Sequence, residues 1–135
     1  MVKTKKIDFK YAKGRRKTAS ARIRLYRGKG ESTVNGKPIG EYFSGVINKD
    51  LWARPFKIVD VSDKYYVTVK VAGGGLRGQV EAVTLGIARA LAKERLEFRK
   101  PLKDAGLLTR DARVRQRRMI GMGGKARRKK QSPKR

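Results

Sequence analysis

Lysine and arginine side chains provide most of the chemistry available to this chain. The 135 residues include 37 Lys and Arg against 11 Asp and Glu, which gives a net charge of +26 at neutral pH. Ammonium and guanidinium groups neutralise phosphates, and arginine can hold a phosphate through two parallel hydrogen bonds. The composition therefore predicts a polyanion as the main partner.

Catalytic and metal-binding groups are sparse. The chain has no histidine and no cysteine, which removes the usual proton shuttle, thiol nucleophiles, disulfides and thiolate metal sites. The acids form no spaced pair suited to acid–base catalysis or to a hard metal ion. Glu94 and Glu97 lie three residues apart, but flanking Lys93 and Arg95 favour ion pairing. We expect no enzyme, no metal and no cofactor.

A glycine-rich segment at residues 73–78, GGGLRG, matches the G-x-G-x-x-G pattern of dinucleotide-binding loops. Glu97 even lies where a ribose-binding acid could stand, but Arg99-Lys100-Pro101 follows the helix where a buried parallel strand is needed. A single match to this pattern is therefore weak evidence for nucleotide binding. The alternative is a tight strand-to-helix crossover, with close backbone approach to a group such as an RNA phosphate. The glycines of this predicted crossover are Gly73, Gly74, Gly75 and Gly78.

The charge is concentrated at the two ends of the chain. Residues 1–30 contain twelve Lys and Arg and one acid, and residues 110–135 again contain twelve and one, whereas residues 31–109 contain thirteen and nine. Charges of one sign repel unless a partner or solvent neutralises them. A solvated face or a solubility tail would explain this too, but such surfaces usually mix signs.

Hydrophobic periodicity predicts the main elements. Period-two alternation indicates strands at residues 15–26 and 65–71, and the 3.6-residue period indicates a helix at about 77–96. A short strand at 32–35 precedes the hairpin-type turn Asn35-Gly36, and Pro38 can open a short helix.

Local sequence signals in four further segments predict the remaining structure. We expect a turn at 28–30, a shorter helix at 102–107 and a last strand at 113–117. Residues 51–61 are ambiguous, although their branched side chains suggest a strand or its approach.

These elements predict an α+β fold with a single compact domain and a mixed sheet. We divide the chain into a basic N-terminal arm (1–12), the α+β domain (13–120) and a basic extended C-terminal tail (121–135). The tail has no aromatic and no branched aliphatic residue, so alone it should be disordered.

The outer side of the first predicted strand is the strongest nucleic-acid candidate. Arg22 and Arg24 alternate with apolar residues, and together with four neighbours they predict a cationic ridge that matches backbone phosphates. Those neighbours are Lys13, Arg15, Arg16 and Lys17. A solvated edge that discourages strand addition is the plainer explanation. We see no platform for base stacking, although Tyr11 and Tyr26 are candidates. Recognition of RNA shape and phosphates is favoured over recognition of sequence.

Targeting signals are lacking. No apolar run approaches the roughly 18 residues that span a bilayer, and the N-terminus MVKTKKIDFK has no apolar core or cleavage site. We expect an unprocessed, cytoplasmic protein.

Several blocks in order resemble the family of the ninth protein of the small ribosomal subunit, in its bacterial form. They are Gly14-Arg15-Arg16-Lys17-Thr18-Ala19 with Ala21-Arg22, Val34-Asn35-Gly36-Lys37-Pro38, Glu41-Tyr42-Phe43, Gly73-Gly74-Gly75 with Gly78-Gln79, Ala88-Arg89-Ala90-Leu91, Leu108-Thr109-Arg110-Asp111 with Arg113, and Lys125-Ala126-Arg127-Arg128. The resemblance covers the chain from about residue 11 to its C-terminus.

The resemblance implies a structural protein of translation, part of the small-subunit ribonucleoprotein, with a left-handed βαβ crossover. It would bind the 3′ major domain of 16S-type rRNA in the subunit head, beside neighbouring head proteins, and its tail would reach the peptidyl-site tRNA. The predicted rRNA-binding residues are Lys13, Arg15, Arg16, Lys17, Arg22, Arg24, Arg77, Arg110, Arg113, Arg115, Arg117, Arg118, Lys125, Arg127, Arg128, Lys129 and Lys130. The predicted tRNA-binding residues are Lys134 and Arg135.

The C-terminus departs from the family pattern. The family commonly ends Pro-Gln-Phe-Ser-Lys-Arg, whereas residues 130–135 here are KQSPKR. The missing aromatic removes a stacking contact, but the terminal Lys-Arg pair is kept. A free DNA- or RNA-binding chaperone would share the charge without needing the glycine crossover or this terminal pair, and it stays the main alternative.

Overall fold

The structure is a computed structural model, and it describes residues 8–122. Within them the chain forms β1 (Phe9–Arg16), β2 (Ala19–Arg27), β3 (Thr33–Val34), β4 (Lys37–Pro38), α1 (Ile39–Tyr42), α2 (Val46–Ile58), β5 (Tyr65–Ala72), α3 (Leu76–Glu94) and α4 (Leu96–Asp104). No helix in this described part is long and apolar enough to cross a membrane.

The five strands form one mixed sheet in the order β1-β2-β5-β3-β4. β1, β2 and β5 pair antiparallel, and β3 runs parallel to β5. The inward side chains of these strands form one hydrophobic core with α3 and with buried residues of α2 and α4. The predicted α+β fold with a mixed sheet is confirmed. The opposite face of β1, β2 and β5, hereafter the outer face, carries the side chains that alternate with the core.

The strand predicted for residues 15–26 is confirmed from Ala19 onward as β2, with Arg22 and Arg24 on its exposed side, but its start is wrong, because residues 15–18 contain the end of β1 and the turn of a hairpin. β1 and β2 are joined by Lys17 and Thr18, with Arg16 paired to Ala19. Lys17 adopts a left-handed φ of 53°, a conformation that glycine and asparagine usually supply. The turn has neither residue, and the inward positions of β1 include Ala12 and Gly14, so the sequence signal was weak.

The strand suggested within residues 51–61 is also wrong, since α2 occupies most of this stretch. Pro55 lies inside the helix and lacks the N–H that would bond to the carbonyl of Leu51. The hydroxyl of Thr84 on α3 lies 3.1 Å from this carbonyl oxygen and 2.8 Å from that of Val80. The tertiary fold thus offers a partner for the carbonyl that proline leaves unpaired.

The other assignments have mixed outcomes. The Asn35-Gly36 turn, with left-handed φ at both residues, the strand at 65–71 and the long helix are confirmed. The short helix follows Pro38 as predicted. The second helix lies earlier than predicted, at Leu96–Asp104, and no strand forms at 113–117, where the chain has no regular structure.

The glycine-rich segment connects β5 to α3, but it is not the crossover of a βαβ unit. The parallel strands are β3 and β5, so the chain crosses between them through α1 and α2, and in residues 8–122 no strand follows α3. Gly73 and Gly74 have φ of 76° and 64°, and a Cβ on Gly73 would lie 2.6 Å from the carbonyl oxygen of Thr18. The close approach is therefore to the β1–β2 turn.

The structure bears on both predicted domain limits. β1 begins at Phe9, so the sheet starts inside the arm assigned to residues 1–12. The tail assigned to 121–135 falls, beyond Met122, outside the described residues.

Candidate nucleic-acid interface

Cations line up across three strands on the outer face. Register places Lys13 of β1 opposite Arg22 of β2, and Arg22 opposite Lys70 of β5. All three side chains are exposed. Arg15 and Arg24 belong to the two adjoining rows of the same face. Since neighbouring strands lie about 4.8 Å apart, this cluster of five cations is compact.

No acid balances this cationic cluster (Lys13, Arg15, Arg22, Arg24 and Lys70). Strands β1, β2 and β5 contain no Asp or Glu. Within residues 8–122 none of the five cations forms an ion pair, because the described ion pairs involve other residues. Such a surface keeps its full positive potential for an external anion.

Four acids outside these strands, Asp50, Glu81, Glu94 and Asp111, form ion pairs with particular cations. Glu94, whose side chain is only 4% exposed, forms the expected ion pair, but its partner is Arg27 of β2 and not flanking Lys93 or Arg95. Lys93 instead donates to the carbonyl oxygen of Tyr11 at 2.8 Å, and Arg89 donates to that of Lys13 at 3.0 Å. These two cations cover the free edge of β1, which limits strand addition there.

Arg16 does not lie on the predicted ridge. The alternation of β1 turns it inward, and its side chain is 10% exposed. Its Nε donates to Glu81 at 2.7 Å, and it donates to the carbonyl oxygen of Arg113 at 3.0 Å. Asp111 approaches the same guanidinium at 3.4 Å. Arg16 therefore ties the start of the segment after α4 to β1 and α3.

Asp111 is also held by Arg113, which donates from its backbone N–H and from its guanidinium. These hydrogen bonds keep the pKa of Asp111 well below its usual range. Because the folded-state pKa is lowered, the stabilising contribution of this carboxylate is complete at neutral pH. It declines only as the pH falls from about 4 towards the lowered pKa.

Replacing Glu81 with Gln should lower the free energy of unfolding by about 1–2 kcal/mol, because the largely buried Arg16 loses the nearer of its two carboxylate partners while Glu81 is itself partly solvated. Urea denaturation of the full chain measures the change. Asp50→Asn is the matched control, since Asp50 pairs with Lys57 at 3.7 Å with both side chains mostly exposed. Its effect should stay within about 0.5 kcal/mol, and equal losses in the two variants would contradict the structural role of Arg16.

The other predicted contact residues occupy different places. Lys17 lies in the exposed β1–β2 turn, and Arg77 lies at the start of α3, 3.3 Å from Glu81. Arg110, Arg115, Arg117 and Arg118 follow α4 in a segment without regular structure. Those beyond Met122 lie outside the described residues, namely Lys125, Arg127, Arg128, Lys129, Lys130, Lys134 and Arg135. The structure thus gathers only part of the predicted set into one surface.

Sequence reasoning missed two features of the outer face. Lys70 joins the central row although it stands alone in an apolar strand. Phe9, Tyr26 and Tyr66 form an aromatic row, with ring centroids 5.7 Å and 5.2 Å apart. Period-two alternation in β5 could have placed Lys70 and Tyr66 on one face, but only the strand register brings them beside β1 and β2.

An acid-free cationic sheet face on a two-layer α+β domain is typical of a nucleic-acid-binding protein. The chain matches the family model of ribosomal protein S9/S16 over residues 14–135. It is 48% identical over 117 residues to small ribosomal subunit protein uS9 of Maridesulfovibrio salexigens, covering 87% of this chain and 90% of that protein. It is 49% identical over 123 residues to the uS9 protein of Mycoplasma mobile, covering 90% and 93%.

The chain therefore belongs to the ribosomal protein S9/S16 family. As a member it is a ribosomal protein of the small subunit, with a structural and not an enzymatic role in translation. The resemblance in the sequence blocks is confirmed at this level.

Proposed function

We propose that this chain anchors itself on small-subunit rRNA through the outer face of its sheet. The observation that carries this proposal is the cationic cluster, which has five cations and no acid across β1, β2 and β5. Phosphate contacts supply most of the sequence-independent affinity for nucleic acids, and helix α3 leaves this face open by covering the opposite one. The proposed contact set excludes Arg16 and adds Lys70.

The finer parts of the proposal rest on family resemblance and charge. We infer that the bound RNA is the 3′ major domain of 16S-type rRNA in the subunit head, with other head proteins as neighbours. Ten of the twelve cations of residues 110–135 continue along the rRNA, and the other two, Lys134 and Arg135, contact the peptidyl-site tRNA. The working place is the cytoplasmic ribosome.

Sedimentation of tagged full chain from a native lysate tests the proposal. We expect stoichiometric recovery with small subunits that resists a high-salt wash, because a folded protein anchored at many sites exchanges slowly. If the protein is recovered mainly as free protein, or if salt releases it from whatever nucleic acid it bound, the free nucleic-acid-binding chaperone is favoured.

Removal of Lys134 and Arg135 should spare subunit assembly and weaken tRNA binding at the peptidyl site. Two phosphate contacts cannot hold the whole domain, whereas their loss should lower tRNA affinity about 30-fold at roughly 1 kcal/mol each. Filter binding of tRNA to purified subunits measures the change. Lys49→Ala combined with Lys57→Ala removes the same charge from α2 as a control. Parallel loss of incorporation and tRNA binding in the truncated chain would refute this division of roles.

A further inference from the structure

A groove of about 480 Å³ opens on the outer face beside the β3–β4 turn. Pockets of roughly 300–1,000 Å³ are the usual size for small ligands. Tyr11, Arg22, Arg24, Thr33, Thr68 and Lys70 line the groove. It therefore combines an aromatic ring, three cations and two hydroxyl groups, and no acid contributes to the lining.

Strand register fixes how these groups are arranged. Tyr11, Arg24, Thr68 and Thr33 are successive partners in one row across β1, β2, β5 and β3. Arg22 and Lys70 stand side by side in the next row. The ring is thus at one end of the groove, the hydroxyls are at the other, and the cations lie between and alongside them.

Among the aromatic residues of this face, Tyr11 is the one with a ring still available. Tyr26 stacks on Tyr66 with an interplanar angle of 14°, and the backbone of Gly30 packs on the Tyr66 ring. The guanidinium of Arg24 lies 4.9 Å from the ring centroid of Phe9. Tyr11 is 37% exposed and makes no ring or cation–π contact within residues 8–122.

We propose that this groove holds one unpaired nucleotide of RNA. The base stacks on Tyr11, its polar edge meets the hydroxyls of Thr33 and Thr68, and the flanking phosphates contact the cations. Neither hydroxyl has a hydrogen-bond partner within residues 8–122. A base-paired duplex would contact only the cations, through its phosphates, because a base stacked inside a duplex cannot reach the ring of Tyr11. The inference rests on the proposed rRNA-binding function and specifies what this part of the face selects.

The test compares two RNA hairpins that are identical except for one bulged 2-aminopurine nucleotide. Stacking on an aromatic side chain contributes about 1–3 kcal/mol per base, so the full chain should bind the bulged hairpin about 5- to 150-fold more tightly. The 2-aminopurine fluorescence should be quenched on binding. Tyr11→Leu should remove most of the preference, and Tyr11→Phe should keep it.

Two controls separate stacking from charge and from folding. Phe9→Leu removes a neighbouring exposed ring that does not line the groove and should change the preference less than twofold. Lys70→Gln should reduce the slope of log affinity against log salt by about one, whereas Tyr11→Leu should leave this slope unchanged. Circular dichroism checks that each variant is folded.

The outcomes of these experiments distinguish failure of the nucleotide groove from failure of the proposed rRNA-binding function. Equal affinity for the two hairpins, or an undiminished preference in Tyr11→Leu, overturns the nucleotide groove while steep salt dependence still supports phosphate binding. An acidic protein segment as the occupant would give the same equal affinity. Salt-independent binding to both hairpins, together with absence from small subunits, overturns the proposed function itself.

Discussion

The affinity of the full chain for small-subunit RNA is expected to fall about 10³- to 10⁵-fold as salt rises from roughly 50 to 200 mM. Each cation that neutralises a phosphate releases counterions, and this range corresponds to about 6–10 phosphate contacts. The cationic cluster supplies five candidates, and the cations after α4 supply the remainder. Filter binding to a fragment of the 3′ major domain at several salt concentrations gives the slope.

Charge removal on the outer face should reduce that slope in proportion. Lys13→Gln, Arg22→Gln and Lys70→Gln together should lower it by about three, one for each lost phosphate contact. Lys57→Gln is the control, because Lys57 lies on α2 and pairs with Asp50. A flat salt response of the unaltered chain, or a triple variant with an unchanged slope, would contradict an electrostatic anchor on this face.

The sequence predicted those parts of the fold that depend on strong local signals. The Asn35-Gly36 turn has the residues that left-handed φ requires, and strand β5 and helix α3 have clear hydrophobic periods. The β1–β2 turn at Lys17 has no such residue. Pro55 obscured helix α2, whose unpaired carbonyl meets a partner from another helix. The missed elements therefore depend on tertiary contacts that a local pattern cannot express.

The sequence predicted that the site is a cationic surface, but it predicted only some of the residues that form it. Period-two alternation correctly put Arg22 and Arg24 outside, but it could not show that Arg16 faces Glu81 across a strand–helix contact. Lys70 and Tyr11 come together on one face through the pairing of β2 with both neighbouring strands. Register is a property of the assembled sheet, so the groove beside the β3–β4 turn could not be inferred from the sequence.

Replacement of Gly14 with Ala should destabilise the domain by at least about 3 kcal/mol, at or beyond the upper end of usual overpacking costs. A Cβ on Gly14 would lie 1.7 Å from the carbonyl oxygen of Ala82 and 2.8 Å from the backbone nitrogen of Gly86. Both obstacles are backbone of α3, so no rotation of a side chain can relieve them. Typical domains have only about 5–15 kcal/mol of net stability, so much of the folded population should be lost.

The contact between β1 and α3 explains why this cost exceeds the usual effect of adding a methyl group. Gly86 on the helix faces Gly14 on the strand, and a Cβ added to Gly86 would lie 2.4 Å from Cγ1 of Ile23. Gly40→Ala in α1 is the matched control, because nothing lies within 4 Å of its added Cβ and its φ is outside the left-handed region. That variant should unfold at the same urea concentration or slightly higher, since alanine favours helices by about 0.5–1 kcal/mol. A Gly14→Ala chain with the unaltered urea midpoint would show that β1 and α3 do not need this close approach.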